Sequence, residues 1–124
     1  MTDKLREKTI KRIKKAFEKW YNLLRMDRWK IGISFEDYDE EVPETAARVE
    51  SDWRYEKAHI TFYVEILSRK SDEEIENDVI HEIMHIAVNE TQEWRRHEDA
   101  WHHEERVATN LARMFQCAVE NVKR

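Results

Sequence analysis

Two histidines four residues apart, with a glutamate directly after the first, form the stretch of this chain best suited to chemistry. The stretch reads His81-Glu82-Ile83-Met84-His85 and lies in a segment predicted to be helical. Because residues four apart share one face of a helix, the two imidazoles lie side by side and can hold one metal ion. Glu82 projects beside them, where its carboxylate can take a proton from a metal-bound water. This spacing is that of a zinc hydrolase, so we predict Zn²⁺ as cofactor, His81 and His85 as ligands and Glu82 as the catalytic base.

A catalytic zinc usually takes three protein ligands, and the remaining candidates follow the motif. At about 100° per residue, Glu104 falls in the middle of the predicted buried face of the next helix. A carboxylate there needs a compensating charge, which a divalent metal supplies, so Glu104 is predicted as the third ligand. Glu105, about 100° further round, is expected near the edge of that face or in solvent. His103, at the border of the face, stays open as a ligand or as a support for one, and His102 should point away.

Long helices should position these groups, since only one glycine and one proline interrupt the chain. The first helix is predicted from residue 3 to about 26, because apolar residues recur there at steps of three and four. These residues are Ile10, Ile13, Phe17, Trp20 and Leu24.

Alternation of apolar and polar residues predicts strands over 29–35, 46–54 and 57–65. We therefore expect a small three-stranded sheet, with a fourth strand left open. The acidic loop at 36–44 is interpreted as a solvated turn. If it borders the cleft, it would favour basic substrates.

The motif helix is predicted over about 72–90, opened by a capping box of Ser71 and Glu74. Its two apolar stripes leave the imidazoles on a third side, as in a helix that lines a cleft. Asp78, one turn before Glu82, is a candidate to accept a hydrogen bond from a ligand imidazole.

A polar connection at 91–98 leads to a last helix over about 99–121. The apolar face predicted to pack that helix carries Val107, Ala108, Leu111, Met114, Phe115 and Ala118. The whole chain, 1–124, is thus predicted to be one α+β domain: an N-terminal helix, a small sheet, the motif helix and a C-terminal helix with the third ligand.

The composition of the chain indicates which compartment and which classes of partner to expect. The net charge of −5 disfavours nucleic acid as the main partner, because a phosphate-binding face usually needs excess cations. Cys117 is the only cysteine, and no apolar segment resembles a secretory signal or a membrane span. We therefore expect a cytoplasmic protein without a membrane partner; the oligomeric state is left open.

The order of these motifs resembles the gluzincin class of zinc metallopeptidases, in which a separate helix with a ligating glutamate follows the H-E-x-x-H helix. More narrowly, most of the chain from Trp29 onward resembles small single-domain metallopeptidases of the phage-associated type. The matching segments are Trp29-x-Ile31-x-Ile33, Glu56-Lys57-Ala58-x-Ile60, His81-Glu82-x-x-His85-Ile86, and Glu104-Glu105-Arg106-Val107 leading to Leu111-Ala112.

The resemblance implies a zincin-like fold and hydrolysis of a peptide or protein substrate. It also implies that the strand near 58–64 is the edge beside the cleft, where a peptide could add as an extra strand. Two features depart from the pattern. No H-x-x-G-x-x-H continuation follows the motif, so the chain is not metzincin-like. The fourth residue after Glu104, often an acidic support for a histidine in gluzincins, is Ala108.

Two other functions stay open. The chain could bind metal as a regulatory or interaction module with little turnover. It could also be a SprT-like protease acting near DNA, which would use a histidine as third ligand; His103 and the Arg95-Arg96 pair keep this alternative open, whereas the acidic net charge weighs against it.

Overall fold

The computed structural model describes the backbone of residues 1–89 and 99–122, and the side chains of 1–89 and 104–120. The predicted polar connection at 91–98 lies outside the described residues. So do the side chains of His102 and His103, and the Arg95-Arg96 pair.

The fold is α+β, as predicted. A helix precedes three strands, and three further helices follow them. In chain order the elements are α1 (Asp3–Leu23), a short 3-10 turn (Met26–Arg28), β1 (Lys30–Glu36), β2 (Ala47–Asp52), β3 (Lys57–Tyr63), α2 (Val64–Leu67), α3 (Asp72–Val88) and α4 (Asp99–Val122). None of the helices in the described part of the chain combines the length and the apolar character that crossing a membrane requires.

Helix α1 buries the face that its apolar spacing predicts. Ile13 and Trp20 are almost fully buried, and Phe17 and Leu24 pack at the margin of the core. Thr2 caps the first turn by accepting a hydrogen bond from the Leu5 amide. The helix ends at Leu23, three residues before the predicted end, and Arg25 follows in a left-handed conformation.

The sheet has the order β1-β3-β2, with β3 parallel to β1 and antiparallel to β2. The expectation that the strand near 58–64 is an edge is therefore wrong, because β3 is the central strand. Its alternate residues Ile60 and Phe62 are fully buried in the core, as a strand with neighbours on both sides allows. Within the described residues, β2 is the edge strand that contacts α3.

Helix α3 begins with the predicted capping box. The Ser71 hydroxyl accepts from the Glu74 amide, and the Glu74 carboxylate accepts from the Ser71 amide. The helix is packed on more than one side, by α1, by α4 and by β2. Ile75, Val79 and Ile83 are almost fully buried, so α3 is the central helix of the core.

Helix α4 does not bury the face that its apolar residues predict. Its fully buried or nearly buried residues recur every four positions; they are Glu104, Ala108, Ala112 and Gln116. Val107, Met114 and Phe115 are instead exposed, by 44%, 65% and 40% respectively. The helix is thus rotated relative to the prediction, and a stripe of small and polar side chains faces α3.

Candidate metal centre

A cleft of about 560 Å³ opens where α3, α4 and β2 meet. Its floor carries the motif residues His81, Glu82 and His85 from α3. The two consecutive glutamates of α4, Glu104 and Glu105, form a second wall. The predicted motif and the first turns of the last helix therefore face one space.

Three side-chain groups converge on one point in this cleft. The Nε2 atoms of His81 and His85 lie 3.1 Å apart. One carboxylate oxygen of Glu105 lies 2.8 Å from His81 Nε2 and the other lies 2.6 Å from His85 Nε2. Each of the three residues offers one ligand atom, all within 4.8 Å of one another. Two imidazoles and a carboxylate are the donor set that zinc takes in hydrolases.

The hydrogen bonds of Thr109 define which nitrogen of His81 faces the cleft. The Thr109 hydroxyl donates its only proton to the backbone carbonyl of Glu105 at 2.9 Å. Its oxygen lies 3.2 Å from His81 Nδ1, so it can only accept there. In the neutral form of His81 the proton is therefore on Nδ1, and Nε2 presents a lone pair to the convergence point.

Glu104 contacts the Nδ1 atom of His85, as Thr109 contacts that of His81. Its Oε1 atom lies 2.9 Å from His85 Nδ1, and both side chains are over 90% buried. The carboxylate accepts the Nδ1 proton, so in the neutral form of His85 the Nε2 lone pair is directed at His81 and Glu105. A carboxylate or hydroxyl that holds the far nitrogen is the usual support of a metal-binding histidine.

Without a proton or a cation at the convergence point, the electron pairs of these groups repel one another. When both histidines are neutral, two Nε2 lone pairs and the Glu105 carboxylate meet at one point, which then requires a proton or a cation. Burial lowers the pKa of His81, and the nearby Glu105 only partly counters that effect. Burial also disfavours the charged form of His85, but the hydrogen bond that His85 donates to Glu104 and the surrounding carboxylates outweigh it and raise the pKa. The residues fit a divalent metal, which would satisfy all three donors at once.

The structure leaves Glu82 beside this point, with no hydrogen-bond partner among the described residues. The side chain is 8% exposed and lines the cleft. Burial raises its pKa to about 7, an effect that the neighbouring His85 partly offsets. A carboxylate with that pKa both takes up and releases a proton near neutrality.

Some of the predicted site residues lie together in the cleft, and others make different contacts. His81, Glu82 and His85 line the cleft together, as the motif predicts. The predicted third ligand, Glu104, instead holds the opposite nitrogen of His85, and Glu105 takes the convergent position. Asp78 accepts from the Lys70 ammonium at 2.6 Å, and Thr109 occupies the supporting position expected of Asp78 at His81.

One spacing in the sequence favours Glu105 over Glu104 at the point of convergence. Four residues after Glu104 comes Ala108, which cannot support a histidine. Four residues after Glu105 comes Thr109, whose hydroxyl does contact a histidine. The paired spacing of a ligand and its supporting residue would have selected Glu105 without any assumption about the buried face.

No family model matches this chain, and neither a curated protein nor a solved structure is similar to it.

Proposed function

We propose that the protein is a zinc-dependent metallopeptidase, in which His81, His85 and Glu105 hold the metal and Glu82 is the catalytic base. The observation that carries this proposal is the convergence of two Nε2 lone pairs and one carboxylate next to a free, buried Glu82. A purely structural zinc site would have no use for that carboxylate and would normally be closed by a fourth protein ligand.

A zinc ion bound here would act as a Lewis acid toward a carbonyl oxygen and would lower the pKa of a coordinated water. The residues of the chain supply the rest. Glu82 accepts the proton that the attacking water loses and then returns it to the leaving amine. Thr109 and Glu104 hold the imidazole rings through their Nδ1 atoms, so neither ring turns away during the reaction.

Among the described residues no strand pairs with the outer edge of β2, and this edge supports a peptide as substrate. Tyr63 N donates to Ala46 O, which defines the hydrogen-bonded pairs between β2 and β3. Since the pattern alternates, the backbone groups of Ala47, Val49 and Ser51 point away from β3. The same three residues line the cleft, so an extended peptide that pairs with this edge passes the catalytic residues.

We further propose a preference for basic substrates. Val42 and Thr45 line the cleft, and they belong to the acidic loop at 36–44 and its continuation. Exposed Glu41 and Glu44 are the sequence neighbours of these lining residues, and the Arg48 cation that also lines the cleft is paired with Asp39. The combined field of the two glutamates attracts cationic peptides at low ionic strength. The exposed thiol of the lone Cys117 supports a reducing compartment, the cytoplasm, for this activity.

The decisive test is Glu82→Gln, measured both for metal content by native mass spectrometry and for cleavage of a peptide library. We expect one zinc per chain in both proteins, since Glu82 is not a ligand. Cleavage should fall by roughly 10²- to 10⁴-fold, the usual contribution of a general base. Glu73→Gln, an exposed position on the same helix, is the matched control and should keep full activity.

Cleavage that survives Glu82→Gln unchanged would sink the mechanism. One zinc in the wild type with no cleavage of any peptide would favour the other function that the sequence leaves open, a metal-binding module with little turnover.

A further inference from the structure

The charge of this chain is divided unevenly between α1 and everything else. Eight residues of α1 are Lys or Arg and three are Asp or Glu, a net charge of +5. The rest of the chain has 14 basic and 24 acidic residues, a net charge of −10. The acidic total therefore hides one strongly cationic helix, and such asymmetry is typical of a protein with a polyanionic partner.

Four lysines of α1 form a continuous row on its solvent side. Lys4, Lys8, Lys11 and Lys15 recur at steps of four, three and four, so they share one face of the helix. All four are exposed, and none forms an ion pair with a described residue. The row extends about 16 Å along the helix axis. We name these four residues the lysine stripe.

The two carboxylates of α3 that face α1 are already paired. Arg12 binds Asp72 at 2.7 Å and the Lys70 carbonyl at 2.7 Å. Lys19 contacts Glu76. These contacts fix α1 on α3. Asp72 also lies close enough to Lys8 and Lys15 to interact with their charges, and Glu7 and Glu18 lie beside the stripe on α1, but none of these carboxylates forms an ion pair with a stripe lysine among the described residues.

The stripe lies on the side of α3 away from the candidate metal centre. Asp72 and Glu76 face α1, whereas His81 and His85 face α4. Each pair is separated by nine residues, which corresponds to about half a turn in angle. A partner on the stripe would therefore leave the cleft accessible.

We propose that the lysine stripe binds the phosphate backbone of a nucleic-acid duplex, independently of base sequence. Successive lysines on the stripe are about 5–6 Å apart, and their flexible side chains reach neighbouring phosphates. Four such contacts release counterions, which drives weak binding without any base recognition. This inference goes beyond the proposed peptidase function and does not depend on it.

The side chains of α1 favour a duplex over two other anionic partners. Single-stranded nucleic acid is bound through stacked aromatic side chains, but Trp20 is buried and Phe17 and Tyr21 pack against the core. A membrane surface needs an apolar face beside the cations. The apolar face of α1 is turned into the protein, and the exposed Leu5 and Leu23 lie near opposite ends of the helix.

The test is fluorescence anisotropy with a labelled DNA duplex of random sequence at several salt concentrations. We expect binding in the micromolar range at low salt and a slope of log K against log salt of roughly −3 to −4, for four phosphate contacts. The variant K4Q/K8Q/K11Q/K15Q should bind at least about tenfold more weakly, with a slope near zero. The milder K4Q/K15Q should reduce the slope by about two.

The matched control is K30Q/R54Q/K57Q/R113Q, which changes the net charge equally at four exposed positions outside α1. It should keep most of the affinity and the salt slope. Equal weakening in both quadruple variants would reduce the effect to net charge and overturn the proposal, and so would binding that does not respond to salt. Preferential binding to vesicles rich in phosphatidylserine would also overturn it. Circular dichroism of each variant verifies the fold, and no step requires zinc or cleavage.

Discussion

Helices α1 and α4 both pack against α3, yet they bury faces of opposite character. Helix α1 contributes Ile13 and Trp20, and its apolar spacing predicts that burial. Helix α4 buries a glutamate, two alanines and a glutamine, and it leaves Met114 and Phe115 exposed. Hydrophobic burial positions α1 against α3, whereas the polar contacts of Glu104 and Gln116 position α4.

The polar ends of the α4 face explain its orientation. Near its C-terminal end, Gln116 accepts from Asn77 and donates to the Glu73 carbonyl, both at 3.0 Å. Near its other end, Glu104 holds His85. Ala108 lies between these contacts, and a side chain that small lets the two helices approach closely. Helix α4 therefore buries less apolar surface than its sequence would allow, and in this orientation its two consecutive glutamates both face the cleft.

The largest effect should come from removing the hydrophobic anchor of α1. Trp20→Ala deletes a side chain that is 1% exposed and whose indole N–H donates to Glu76 at 2.9 Å. We expect the free energy of unfolding to fall by about 3–5 kcal/mol, measured by urea denaturation. This loss is a large part of the total stability of a small domain. Leu23→Ala, at a half-exposed position of the same helix, should cost less than about 1 kcal/mol. Equal losses would contradict the account of α1.

The next effect should separate the two glutamates of α4 by metal affinity rather than by stability. Structural zinc binds with roughly 10–16 kcal/mol over four ligands, so the loss of one ligand in Glu105→Gln should weaken binding by about 10²- to 10³-fold. Glu104→Gln removes only the support of His85 and should weaken binding by about 10- to 100-fold. Competition with a chelator of known affinity measures both. Glu120→Gln, exposed on the same helix, is the control and should bind zinc normally. A greater loss from Glu104→Gln than from Glu105→Gln would reverse the two roles.

Elements fixed by local sequence were predictable, whereas those that depend on long-range packing were not. The H-E-x-x-H helix, its capping box and the three strands were predictable, because local spacing and capping chemistry determine them. The contacts of Glu104 and Glu105 were less predictable. Helix phase correctly places Glu104 on the buried face of α4, but the atom that it contacts depends on the orientation of the helix, and a rotation of about 100° exchanges the positions of Glu104 and Glu105. The edge strand was missed for another reason. Strand order is a long-range property, and β3 alternates in the same way at the centre of a sheet as it would at an edge.

The smallest effect tests the rotation of α4 directly. Ala112 is fully buried, so Ala112→Leu inserts a large side chain into the close contact between α3 and α4. We expect a loss of about 1–3 kcal/mol in the free energy of unfolding, because a packed interface accommodates added volume poorly. Met114 is 65% exposed, so Met114→Ser should change that free energy by less than about 0.5 kcal/mol. Urea denaturation of the metal-free proteins compares the two variants on one scale. The apolar pattern of α4 predicts the reverse ranking, since it places Met114 in the core. A costly Met114→Ser together with a tolerated Ala112→Leu would therefore restore the predicted face and favour Glu104 over Glu105 as the residue that converges with His81 and His85.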